Sequence, residues 1–115
     1  MRYAIIGDVH SNLEALEAVI KACREEGART IVCTGDIVGY GANPNECIDL
    51  LIKERAVCIA GNHDWAVCGK LDYAYFNEYG QKAVVWTQSH LTEAGKNFLS
   101  ALYGISKGIC GIRST

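Results

Sequence analysis

Three short apolar runs, Tyr3–Ile6, Thr30–Cys33 and Val57–Ala60, punctuate the first half of the chain. Each gives way to a glycine and then to side chains that bind metals: Asp8-Val9-His10, Gly35-Asp36, and Gly61-Asn62-His63-Asp64. The glycines Gly7, Gly35 and Gly61 recur at roughly 27 residues, the length of a strand–helix unit. Runs this short, apolar on both faces, suit parallel strands. The segments between them read as helices. Leu13, Leu16, Val19, Ile20 and Cys23 form one stripe, with Ser11 and Glu14 at capping-box spacing and Gly27 as the stop. Asn43 as cap, Pro44 at the first helical position and Glu46 at the third open a second helix, with Ile48, Leu51 and Ile52 inward. The predicted fold class is α/β: a three-stranded parallel sheet core with flanking helices.

Beyond Asp64 the pattern changes. The aromatic stretch 65–79 predicts a loop or irregular helix over part of the core. Helices are expected from about Gly80 to Ser89 and from Thr92 to about Leu102, with Phe98, Leu99 and Leu102 inward. The last stretch, from Tyr103 to Thr115, holds three glycines and little periodicity. It reads as a loose tail with a short extended piece at Gly108–Ile112.

The chain has 115 residues, half of them hydrophobic and 21% charged, which suits one small domain with a core. A net charge of −2 carries no nucleic-acid-binding signature. Neither a membrane span nor a secretory leader is expected, so the cytoplasm is the expected location. The six cysteines lack CxxC or zinc-ribbon spacing and read as reduced thiols serving as small hydrophobes.

Ligands of open α/β sheets gather at the carboxyl ends of the strands, where all three motifs fall. Asp8 and His10 can reach one cation, and carboxylate oxygen with imidazole nitrogen suits Mn, Fe, Ni or Zn. Asp36 can bridge two cations, and Asn62 offers a carbonyl oxygen. Two cations about 3.5–4 Å apart can hold a phosphate and lower the pKa of a water between them. His63 can protonate the leaving oxygen. Tyr40, in the glycine-flanked loop after Asp36, is a candidate wall of the pocket. No GxxxxGK[ST] string is present to support a P-loop.

The stretches GDVHSNLEAL at 7–16, GDIVGYGANPNE at 35–46 and GNHD at 61–64 resemble the calcineurin-like metallophosphoesterase superfamily, in its small bacterial and archaeal phosphoesterase type. The resemblance extends over roughly 1–102, with Trp86-Thr87, Leu91-Thr92 and Phe98-Leu99 similar to the helical stretch after GNHD. It implies two face-to-face sheets with helices outside, and hydrolysis of phosphomonoesters or phosphodiesters. It also implies that Asp8 and His10 bind the first metal and Asp36 bridges. Asn62 would bind the second metal and, with His63, meet the substrate phosphate; His63 would be the acid.

The same resemblance implies three further metal-binding histidines from a second half. Only His10, His63 and His90 are present, and His90 shares a helix face with Trp86. The chain is therefore expected to be an amino-terminal half, a truncated or frameshifted form of a longer product, with 103–115 an atypical tail. One metal site is expected to form and the second to be incomplete, with phosphoesterase activity weak or absent. The alternative is a non-catalytic metal-binding fragment or self-associating module. A sheet face left bare by the missing half is expected to be covered by the late helices or by a second copy of the chain.

Overall fold

The computed structural model describes residues 2–105 and 112–113. Its centre is a parallel sheet in the order β1-β2-β3, formed by β1 (Tyr3–Ile6), β2 (Thr30–Cys33) and β3 (Val57–Cys58). Tyr3 pairs with Thr30 and Ile6 with Cys33; Val32 pairs with Val57 and Cys33 with Cys58. This is the α/β architecture read from the three apolar runs. β3 is shorter than its run because Ala60 turns away from β2, and its N–H donates to Tyr103 O at 2.7 Å. That bond anchors Tyr103, and Gly104 is buried against Trp65, whose ring occupies the space a side chain there would need. The tail is thus less loose than expected at its start. It continues as β4 (Gly104–Ile105), antiparallel to β5 (Ile112–Arg113). The extended piece expected at Gly108–Ile112 lies outside the described residues except for Ile112.

Helix α1 spans Leu13–Glu25 and α2 spans Pro44–Lys53. The cap of α1 differs from the Ser11–Glu14 expectation. Asn12 is the N-cap, its Oδ1 accepting from Ala15 N–H at 3.1 Å. Ser11 is fully buried with φ +60°, a geometry incompatible with N-capping. Gly27 ends α1 as expected, at φ +89°. Asn43 does precede α2, but its side chain donates to Glu46 Oε2 instead of capping. Leu16, Ile20, Cys47, Ile48 and Leu51 pack with Ile31 and Cys33 into the core. Val19 and Ile52, expected inward, are 41% and 52% exposed, because they sit at the rims of their stripes. Arg24 ties the two helices through Glu54 Oε1, at 3.1 Å from Nε and 3.0 Å from Nη2.

Helix α3 (Asn62–Val67) runs into the aromatic stretch, and a loop follows it. Helices α4 (Glu78–His90) and α5 (Glu93–Ser100) follow, capped by Asn77 and Thr92. They pack on α3, and α5 also on α2. They therefore do not cross the opposite sheet face, which corrects one of the two expected covers. There Tyr3, Ile5 and Val57 remain 62%, 73% and 54% exposed. Cys23, Cys33, Cys47, Cys58 and Cys68 are free thiols, as expected, and Cys110 lies outside the described residues. Burial pushes the Cys47 thiol up to about 12, which makes it inert as a nucleophile. No helix among the described residues is long and apolar enough to cross a membrane.

Candidate metal and phosphate site

The loops after β1 and β2 are laced together by their backbones. Asp8 N–H donates to Gly35 O (3.2 Å), His10 N–H to Asp36 O (2.8 Å) and Ser11 N–H to Ile37 O (2.8 Å). Within this lacing Asp8, His10, Ser11, Asp36 and Tyr40 take φ between +48° and +63°. Left-handed backbone costs roughly 1–2 kcal/mol at a residue with a Cβ, so neighbouring contacts must hold it in place. The result is convergence: donor atoms of Asp8, His10 and Asp36 all lie within 4.8 Å of one another. His10 Nε2 is 3.8 Å from Asp8 Oδ1.

The donor set fits a divalent transition metal. His10 Nδ1 lies 3.2 Å from Val38 O, a carbonyl that can only accept, so the proton belongs on Nδ1. Nε2 then presents its lone pair toward the two carboxylates, the arrangement in which a second hydrogen bond fixes a metal-binding imidazole. Three of the sequence-predicted ligands are thereby brought together.

Asn62 and His63 arrive differently, from the first turn of α3. His63 N–H lies 3.0 Å from Asp36 Oδ1 and 3.1 Å from Asn62 Oδ1. The two oxygens therefore flank one donor, placing exposed Asn62 beside the Asp36 carboxylate. The His63 ring is held on several sides: its centroid is 5.1 Å from His10, 4.9 Å from Tyr40 and 4.6 Å from Phe76. A Cβ at Gly39 would stand 2.9 Å from His63 Nδ1, so glycine there is a condition for the ring's position. His63 Nδ1 is buried with no hydrogen-bond partner. Burial lowers the His63 pKa, with Asp36 opposing.

Among the described residues, the Asp64 hydrogen bonds go to backbone and not to the His63 ring. Asp64 is fully buried, Oδ1 accepting from Val38 N–H (3.0 Å) and Oδ2 from Gly61 N–H (2.9 Å), and so pins the second loop to the third. Burial raises its carboxyl to about 6 against the pull of those bonds. Tyr40 borders a surface cleft with Asp8 and His10, its ring edge-on to His10 at 5.2 Å. Phe76 is the neighbour that sequence reasoning missed; only its place in an aromatic stretch hinted at it. His90 lies apart, stacked on Trp86 at 4.0 Å and 17°, in the structural role expected of it.

A sequence profile described as calcineurin-like phosphoesterase matches residues 1–110. An uncharacterised protein of Methanocaldococcus jannaschii is 48% identical over 99 residues, 86% of this chain and 41% of that protein. The crystal structure of a metallophosphoesterase from Sphaerobacter thermophilus aligns with a TM-score of 0.70 at 40% identity, over 92% of this chain and 44% of that one. A hypothetical protein from Pyrococcus horikoshii OT3 shares the fold at a TM-score of 0.71 and 21% identity, over 87% of this chain and 47% of its own. The chain thus spans less than half the length of each of these relatives. The profile covers all three strand-end loops, and the structural likeness covers the sheet that aims them: the chain belongs to the calcineurin-like phosphoesterase family.

Proposed function

We propose that this chain carries the phosphate-facing metal site of a metal-dependent phosphoesterase, acting on a phosphomonoester or phosphodiester, with weak activity when alone. The convergence of Asp8, His10 and Asp36 within 4.8 Å supports this above all. These three would hold one cation of Mn, Fe, Ni or Zn; Asp36 and Asn62 would offer a second position with fewer donors. A bound cation of this kind polarises phosphoryl oxygens and supplies a nucleophilic water near neutral pH. The side-chain amide of Asn62 donates to a phosphoryl oxygen. His63, its Nδ1 walled in by Gly39, presents Nε2 to protonate the leaving oxygen. Tyr40 and Phe76 hold that imidazole in place. Three protein donors for the first cation and two for the second set the expectation of low occupancy.

The test is Mn-dependent hydrolysis of p-nitrophenyl phosphate and bis(p-nitrophenyl) phosphate, with metal binding followed by calorimetry. Hydrolysis abolished by Asp36→Asn is expected. Absence of hydrolysis with Mn, Ni, Fe and Zn, in a preparation of verified fold, would sink the catalytic reading.

One observation favours a second role beside it, self-association. Tyr3, Ile5 and Val57 form an exposed apolar row on β1 and β3, an arrangement monomers seldom leave bare. We propose that a second copy of the chain covers it. Sedimentation at rising concentration should show a dimer that Ile5→Lys converts to monomer; a monomer throughout would end this reading.

A further inference from the structure

Beside the metal-binding side chains opens a second feature, a cleft of about 420 Å³ between the starts of α1 and α2. Its lining includes Asp8 and His10 together with Ser11, Glu14, Tyr40 and Asn43. A group bonded to a phosphate held at Asp8 and His10 would extend into this space. We infer that the cleft takes the alcohol portion of the substrate, and that this portion is an uncharged, hydroxyl-rich group such as a sugar or polyol. This rests on the phosphoester reading above.

Three observations converge on that chemistry. First, apart from Asp8, whose charge a bound cation would offset, the lining among the described residues carries the Glu14 carboxylate and no lysine or arginine. A further phosphate or carboxylate that reached Glu14 would meet like charge. Second, the Glu14 carboxylate is exposed at the cleft, an acceptor for hydroxyl donors. Ser11 Oγ is buried at the same wall with no partner, a polar group whose burial calls for one. Third, Tyr40 is 52% exposed, with its ring edge-on to His10. That leaves ring surface for the C–H face of a sugar. Apolar lining alone would suit an aryl group and basic lining a polyphosphate; acid and hydroxyl beside one aromatic ring suit a polyol.

The experiment is calorimetric binding to the Mn-loaded chain, with glucose 6-phosphate, ADP and inorganic phosphate as probes. The variants are Glu14→Gln and Glu14→Lys, both at an exposed position outside the metal-binding set. The wild type should bind glucose 6-phosphate about tenfold more tightly than inorganic phosphate, the size of a charge-assisted hydrogen bond. ADP should gain nothing over inorganic phosphate. Glu14→Gln should remove most of the sugar phosphate's advantage, and Glu14→Lys should in addition tighten ADP by about fivefold, the scale of an exposed charge reversal. ADP binding more tightly than glucose 6-phosphate in the wild type would overturn the inference, as would glucose 6-phosphate binding indifferent to Glu14. Aryl phosphate hydrolysis, run in parallel, separates the two claims. Hydrolysis with a silent Glu14 defeats only this inference. Glu14-dependent binding without hydrolysis defeats only the catalytic reading. Loss of both defeats both.

Discussion

After β1 and β2 the chain turns left-handed at five residues that carry a Cβ: Asp8, His10, Ser11, Asp36 and Tyr40. After β3 it passes through an extended Gly61 (φ −92°, ψ −178°) straight into α3, where Asn62 and His63 have ordinary helical backbone. Both regions deliver polar side chains to the same place. Bringing two carboxylates and an imidazole to a common point requires the first two loops to fold back over the strand ends, and left-handed residues do that. The third region delivers its groups to the rim, which one helical turn accomplishes without strain. Backbone strain in these two loops therefore accompanies the concentration of charge, and the lacing between them holds it; the further left-handed residue, Arg55, follows α2.

The largest test of that contrast is the lock between the regions. A Cβ at Gly35 would stand 2.5 Å from the Gly61 nitrogen, backbone against backbone, at φ +109°. Gly35→Ala should cost about 4 kcal/mol in urea denaturation, combining overpacking with backbone strain, and should abolish metal binding. A cost below about 1 kcal/mol would show that the two regions are not locked.

Next comes Asp64, which pins the same two regions by hydrogen bonds. Its folded pKa, raised chiefly by burial from 3.8 to about 6, means the native state holds the proton more tightly than the unfolded chain. The associated stability is complete below pH 3.8 and is lost as pH rises through about 6. In metal-free protein this should appear as a fall of up to about 3 kcal/mol between those limits, superimposed on the other titrations. Asp64→Asn should flatten that interval. An unchanged slope would mean that Asp64 does not carry it.

The smallest effect is the most discriminating. Asp8→Gly should leave stability unchanged or raise it by up to about 1 kcal/mol, because glycine relieves a left-handed residue, while metal affinity falls sharply. Asn62→Gly should lower stability by about 0.5–1 kcal/mol, since helical backbone gains nothing from glycine. Thermal melts of both would check this; equal signs would erase the proposed difference between the regions.

Much of this arrangement was legible from local pattern. The strand runs set the sheet, and Pro44, Gly27 and Thr92 marked helix limits. The donors Asp8, His10 and Asp36 could be named because their spacing ties them to strand ends. The capping of α1 was misread because Ser11 and Asn12 are adjacent and equally suited by type. The left-handed turn that buries Ser11 is imposed by Ile37, whose carbonyl accepts the Ser11 N–H from another loop. Phe76 against His63, and Asp64 bridging Val38 and Gly61, are likewise contacts across distant segments, which no local period encodes. Glu54 meeting Arg24 belongs to the same class.

Asp36 has two attachments, one to the cluster with Asp8 and His10 and one, through Oδ1, to the His63 N–H that opens α3. A lesion at this residue is consequently ambiguous: it removes a charge and loosens a helix. Asparagine keeps the amide oxygen that can accept the His63 N–H, whereas alanine discards both. The two variants together form a genetic separation of charge from anchoring. In metal-free protein, whatever stability Asp36→Ala loses and Asp36→Asn retains belongs to the joint with α3, and not to a cation.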